Sequence, residues 1–264
     1  IGLFFKVGAV PMQFWIPDVY QGAPLPTTAF LSVGSKAAGF ILLIRVLEPF
    51  LGSELTAKPV LGVLLALATA TLLFGNLAAI AQTNFKRLLA YSSVENIGVL
   101  FTGIGLAIVF HGVGMTELAA LALIAVLYHS INHAFMKSLL FLGTGAVLHA
   151  TGERNLGRLG GLIHRMPWAA WLTLVGVLAI AGLPPLNGFV SEWLLLQTFL
   201  FSHEVPQPFV NMLLPLGAAI VALAAALAGY VMVKFFGIVF LGQPREPSLA
   251  VAHDVDGFEK AGLV

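Results

Sequence analysis

"LYHSINHAFMKSLLFLG", residues 127–143, is an apolar stretch in which His129, His133 and Lys137 recur at every fourth position. An α-helix turns once in about 3.6 residues, so this spacing stacks the three side chains along one face, with a slight drift around the axis. The rest of the segment is greasy enough for lipid. A stripe of three proton-binding groups inside it therefore raises two questions: what solvent the chain is built for, and what the stripe does there.

Composition answers the first. The chain of 264 residues is 59% hydrophobic and only 9% charged, with a mean hydropathy of +0.96. A soluble domain carries about 25% charged residues. A bilayer removes the need to hide so much apolar surface from water, so the chain reads as an integral membrane protein. It has no cysteine, which excludes disulfides, thiolate metal sites, iron–sulfur ligation and cysteine nucleophiles. A net charge of +1 makes no case for nucleic acid. The opening "IGLFFKVGAVP" has neither an initiator Met nor a basic segment ahead of an apolar core. It is not a signal peptide and reads as a cut through a transmembrane helix, so the expectation is a fragment of a longer subunit.

Apolar runs near the ~20 residues that a bilayer core demands predict an all-α, polytopic transmembrane bundle of about seven elements. These are a partial helix from Ile1 broken at Pro11, then 27–46, 60–81, 88–110, 117–149, 168–202 and 209–241. The fifth is too long for one straight crossing and is expected to tilt or bend. The sixth is interrupted by "GLPPLNG", which holds Pro184, Pro185 and Gly188. Residues 1–241 form the membrane domain and 242–264 a polar tail. Loops on one side carry Lys86, Arg87, Arg154, Arg158, Arg165 and Arg245, against Arg45 and Lys58 on the other. The positive-inside rule places the first group in the cytoplasm, provided the interrupted element crosses once.

Eight Lys, Glu and His residues fall inside these spans, away from their ends: Lys6, Lys36, Glu95, His129, His133, Lys137, Glu192 and Lys234. A central charge costs about 2.5–3.5 kcal/mol on insertion scales, and such residues usually face a bundle interior and mark an ion or proton path. Lys234, nearest a helix end, has the alternative of snorkelling to the interface. A lone histidine is more simply a packed core residue, but two histidines and a lysine on one stripe favour function. Lys6 and Glu192 lie beside the proline breaks. Proline frees backbone carbonyls that need water or partner groups, and discontinuous helices are where transporters place ion sites.

A metal is a poorer explanation of the stripe. The zincin arrangement needs a Glu directly after the first His, and that position is Ser130. Haem held between histidines needs a second pair at matching depth, and none is evident. No metal or cofactor site is expected in this chain.

The same residues carry a resemblance. "FKVGAVPMQFWIPDVYQGAPLPTTAFLSVGSKAAGF" (5–40) and "LAAIAQTNFKRLLAYSS" (77–93) are similar to subunit N of bacterial and cyanobacterial complex I. From "VENIG" (94–98) onward, "YHSINHAFMKSLLFLGTGAVLHATGERNLGRLGGLIHRMPW" (128–168) and "LAIAGLPPLNGFVSEWLL" (178–195) look more like the large membrane subunit of formate hydrogenlyase and hydrogenase-4 complexes. The chain thus resembles the antiporter-like, proton-translocating membrane subunits that these complexes share with Mrp-type antiporters. The likeness covers nearly all of the chain except the polar tail, and it changes subfamily near residues 91–95.

The resemblance implies a fold of two inverted five-helix repeats, each holding a half-channel, with this chain beginning inside the first repeat's fourth helix. The lysine of the family's first broken helix matches Lys6, and its partner glutamate lies upstream. The lysine of the next helix matches Lys36, the histidine-bearing helix matches the stripe with His133, and the charged residue of the second broken helix matches Glu192. The implied function is proton translocation in a redox-driven complex, with Lys36, His129, His133 and Lys137 passing protons through waters toward Glu192. Quinone, iron–sulfur or nickel–iron sites would then sit on partner subunits of a respiratory or hydrogenase complex. The implied location is a bacterial inner membrane, or a thylakoid or organellar inner membrane. Two alternatives stay open: an Mrp-type Na⁺(K⁺)/H⁺ antiporter subunit, and a non-conducting structural subunit.

Overall fold

In hydrocarbon no water pairs with a bare backbone, so each apolar run has to close its hydrogen bonds within itself. The computed structural model describes residues 1–49 and 54–264, and it resolves these runs into helices. They are α1 Gly2–Val7, α2 Trp15–Gly22, α3 Leu25–Leu47, α4 Glu54–Ala81, α5 Phe85–Gly112, α6 Thr116–Thr151, α7 Pro167–Ile180, α8 Asn187–Leu200, α9 Pro208–Phe240 and α10 Gly257–Leu263. Among the described residues, β structure is limited to a single antiparallel bridge between Asn84 and Asn155.

Five of these helices are long and apolar enough to cross a membrane: α3, α4 from Val60, α5, α6 and α9. The remaining membrane elements of the sequence reading, expected to be broken, are each two shorter helices. They are the pairs α1–α2, which Gly8 to Phe14 separate, and α7–α8, which Ala181 to Leu186 separate. Val10–Pro11 and Pro184–Pro185 within these breaks are cis. The α7–α8 pair runs alongside α9: Gly161, just ahead of α7, donates its N–H to the carbonyl of Leu241 at the end of α9 (2.9 Å), and α9 packs against both halves. α6 is continuous over 36 residues, about 54 Å of helix at 1.5 Å per residue. The hydrocarbon core is about 30 Å thick, so the excess is taken up by tilt or protrusion.

α5 is the central helix, buried along most of its length and packed against α2, α4, α6 and α9. Small residues bring α4 closest. A Cβ on Gly75 would stand 2.5 Å from the Glu95 backbone nitrogen, and one on Gly98 would stand 2.6 Å from that of Leu72. Two such approaches fix the register of α4 on α5, and with it the position of Glu95.

The basic residues gather at one end of the bundle. Lys86 donates to the carbonyls of Gln21 (2.9 Å) and Ala23 (2.7 Å) at the end of α2, and Arg87 pairs with Asp18 at 2.6 Å. Arg245 donates to the carbonyls of Leu156 and Leu159, both at 2.9 Å. Arg45 lies in the last turn of α3, at the opposite end; the side chain of Lys58 is outside the described residues. The polar tail is docked at the basic end. Its Asp254 accepts from the backbone N–H groups of Trp168 (2.9 Å) and Ala169 (3.2 Å) at the start of α7. Leu249 and Leu263 are buried, and Lys260 lies 4.8 Å over the Trp168 ring.

The loop after α6 is organised by Glu153, whose Oε1 accepts from the backbone N–H groups of Arg154 and Asn155, both at 2.8 Å. The Asn155 bond, with that of Arg154 and the Arg158 charge, holds the carboxyl below its ordinary range against a smaller opposing effect of burial. A depressed carboxyl stabilises the fold above its unfolded pKa, and that stability is lost as the pH falls through the folded value. The melting temperature of the protein should therefore exceed that of Glu153→Gln near neutral pH, and the gap should close on acidification. A gap that persists or widens in acid contradicts this account.

Candidate functional site: a polar seam across the bundle

The seam starts where α5 and α6 face each other. Lys137, fully buried, donates from Nζ to Ser92 Oγ (2.9 Å) and to the Leu89 carbonyl (3.3 Å). One turn along α5, Asn96 Nδ2 donates to the Ser92 carbonyl (2.9 Å) and to Glu95 Oε2 (2.6 Å). Asn96 Oδ1 in turn lies 3.1 Å from His129 Nε2. On the far side of that ring, Nδ1 lies 2.9 Å from Ser191 Oγ of α8. One connected set of side chains thus ties α5, α6 and α8 together.

His133 extends the seam toward α3. Its ring stacks on His129, with centroids 6.4 Å apart and planes at 28°. His133 and Lys36 line a cavity of about 20 Å³ together with Asn96 and Ser130, which is room for one water molecule. Lys36 Nζ and His133 Nε2 are both buried with no hydrogen-bond partner in the protein. The Lys36 ammonium lies 5.6 Å from the centroid of the Tyr20 ring. Tyr20 is itself buried, and its hydroxyl is also unpartnered. Orphaned polar groups in a low-dielectric interior are costly, and here they cluster.

The second broken helix closes the seam. Glu192 is half-buried, and its Oε2 lies 2.6 Å from where a Cβ on Gly182 would stand. The carboxyl therefore sits against the chain that separates α7 from α8. Asn132 of α6 donates to the Asn187 carbonyl (2.8 Å), pairing one of the first carbonyls of α8. At the first break, Val10 N–H donates to Thr71 Oγ1 (3.1 Å) and Trp15 Nε1 donates to the Phe5 carbonyl (2.8 Å).

Six of the eight ionisable residues singled out from sequence thus share one region: Lys36, Glu95, His129, His133, Lys137 and Glu192. Two do not. Lys6 is exposed, its stem lying against α3 at Gly39. Lys234 donates to the carbonyls of Ile80 (2.5 Å) and Gln82 (2.8 Å), capping the C-terminal end of α4, where a cation also suits the helix dipole. Lys234→Met is expected to cost about 1–2 kcal/mol of stability while leaving transport per folded molecule intact. Thermal melting alongside transport per folded molecule checks this; transport lost at unchanged stability would contradict the capping role.

Ser92, Asn96, Ser130, Ser191 and Tyr20 were not among the residues singled out. Their signal in the sequence is modest: Ser92 and Asn96 repeat on α5 the four-residue spacing of His129 and His133, and Ser191 adjoins Glu192.

Comparison with known proteins adds the following. A family model described as "NADH:quinone oxidoreductase/Mrp antiporter, TM" matches residues 1–207. Formate hydrogenlyase subunit 3 of Escherichia coli (strain K12) is 38% identical over 247 residues, 93% of this chain and 40% of that protein. NADH-quinone oxidoreductase subunit N of Moorella thermoacetica is 37% identical over 252 residues, 94% of this chain and 47% of that protein. Near-equal identity across nearly the whole chain favours neither subfamily. The chain spans less than half the length of either relative. Among solved structures, the Mrp complex from Dietzia sp. DQ12-45-1b superimposes with a TM-score of 0.76 at 25% identity, covering 92% of this chain and 41% of that one.

Proposed function

The chain belongs to the NADH:quinone oxidoreductase/Mrp antiporter transmembrane family, and on that footing we propose that it is a proton-translocating membrane subunit of a redox-driven complex. The observation that carries this reading is the buried seam that runs from Lys36 on α3 past His133 and His129 on α6 to Glu192 of α8, whose carboxyl sits against the α7–α8 break. Taking an ionisable group out of water penalises its charged form, so a run of such groups exchanges protons more readily than it holds fixed charges. A water in the small cavity between Lys36 and His133 passes a proton between α3 and α6. Lys137 and Glu95, held through Ser92 and Asn96, set the electrostatic bias of the run, and their protons move as a coupled set.

The redox chemistry, with its quinone, iron–sulfur or nickel–iron sites, belongs to partner subunits, and the complex resides in a bacterial inner membrane or an organellar counterpart. A charge displaced in the redox module tips the seam, loading it from one side and releasing it to the other. A second reading is favoured by the superposition on an Mrp complex: a Na⁺(K⁺)/H⁺ antiporter subunit using the same residues. The complex that contains the chain, reconstituted in liposomes, separates the two. Redox-driven acidification that is indifferent to added sodium supports the proposal. Sodium-dependent proton exchange without any redox substrate overturns it in favour of the antiporter.

A further inference from the structure

Asn96 decides which nitrogen of His129 keeps a hydrogen. Its Nδ2 donates to the Ser92 carbonyl (2.9 Å) and to Glu95 Oε2 (2.6 Å). A backbone carbonyl only accepts, so that end of the amide is the NH₂ group, and the atom 3.1 Å from His129 Nε2 is the carbonyl oxygen. An amide oxygen has no hydrogen to give, so the ring donates through Nε2. That hydrogen stays in place whether the ring is neutral or charged. Proton exchange is left to Nδ1, whose partner is Ser191 Oγ at 2.9 Å.

Ser191 has one hydroxyl hydrogen and more than one acceptor. Besides the ring, its Oγ lies 2.9 Å from the Gly188 carbonyl and 3.4 Å from that of Asn187, both in the first turn of α8. When the ring is neutral, Ser191 donates to Nδ1. When the ring is charged, Nδ1–H donates to Ser191 Oγ, and the hydroxyl turns to the Gly188 carbonyl. The charge of His129 is thereby read out as a hydrogen bond in the first turn of α8, ahead of Glu192.

We infer that His129 is loaded and unloaded through Nδ1 alone, by way of the Ser191 hydroxyl, with Asn96 as the positioning residue that bars passage through the ring. This rests on the proton-relay reading above and narrows it: His129 serves the relay as a storage site on its α8 side, not as a station that protons from His133 pass through. In the loading step the Ser191 O–H proton moves to Nδ1, and Ser191 Oγ takes a proton from a water or acid at the α7–α8 break. Unloading runs the same transfers backwards. His129 is then a storage site opening toward α8, and a proton does not enter at its Asn96 side and leave at its Ser191 side.

The test is nitrogen-15 NMR of histidine-labelled protein in lipid bilayers, with the His129 signals assigned by their loss in His129→Gln. The expected result is a protonated Nε2 at every pH at which the protein stays folded, with Nδ1 alone titrating. An unprotonated Nε2 at any such pH overturns the inference. In Asn96→Leu the fixed hydrogen should be released and both tautomers appear; an unchanged Nε2–H signature overturns the positioning role. In the complex that contains the chain, Ser191→Ala should lower pumping about tenfold or more, in the range of a lost proton-transfer group, and Ser191→Thr should restore it. Full pumping in Ser191→Ala overturns the carrier role. The tautomer measurement does not depend on pumping, so failure of the relay reading as a whole is told apart by intact pumping in Lys36→Met and Glu192→Gln.

Discussion

Glu192→Gln is expected to leave the complex assembled and to remove most of its proton pumping, a fall of about tenfold or more. Glutamine keeps the shape of the side chain and its hydrogen-bonding capacity but cannot take up and release a proton. The carboxyl sits against Gly182 in the α7–α8 break and makes no structural ion pair among the described residues, so little packing is disturbed. Protons translocated per electron, measured beside assembly on a native gel, check this. Normal pumping in a normally assembled complex would remove Glu192 from the relay. The sharper contrast is with Lys234, whose two carbonyl partners predict the opposite pattern, lower stability with transport retained.

Gly188→Ala is expected to be the most damaging single change to the fold at the site. A Cβ there would lie well inside contact distance of the Ala179 carbonyl, and 3.2 Å from Met136 Sδ. The first of these is backbone at the end of α7 and cannot swing aside as a side chain would. Making room means separating α8 from α7, which unseats Ser191 from His129 and moves Glu192. Overpacking of this kind costs about 3 kcal/mol, a large part of the stability of a marginal fold. A shifted melting temperature and lost assembly of Gly188→Ala are the expected readings; wild-type melting with full pumping would contradict the close approach of α8 to the end of α7. Gly237, with nothing within 4 Å of its would-be Cβ, is the control, and Gly237→Ala should be silent in both assays.

What could be read from the sequence is what periodicity and cost make visible. Histidines and a lysine at four-residue spacing in an apolar run have to share a helix face, and His129, His133 and Lys137 do. Prolines inside apolar runs disturb a helix, and Pro11 and Pro184–Pro185 mark both breaks, whereas Pro215 lies within α9 without ending it. The burial of Lys86 was not readable in the same way. It counted as a loop charge, yet it is buried at the end of α2, because the carbonyls it satisfies lie more than sixty residues earlier in the chain. The docking of the tail was equally hidden, since Leu249, Val255 and Leu263 are spaced too irregularly to signal a packed face. Asn96 and Ser191 escaped for another reason. A small polar residue on a membrane helix is as often a local back-bond to its own helix as a partner of another helix, and only the crossing of α5, α6 and α8 tells the two apart.

The central claim is that Lys36 on α3 and His133 on α6 are consecutive stations of one proton path, joined across the cavity they share with Asn96 and Ser130. It is tested most directly by a double-mutant cycle on protons translocated per electron. The complex is reconstituted in liposomes with Lys36→Met, with His133→Leu, and with both. Two stations of one path predict a large loss in each single variant and no further loss in the double variant. Losses that multiply, or a His133→Leu complex that pumps normally while Lys36→Met does not, would contradict the path.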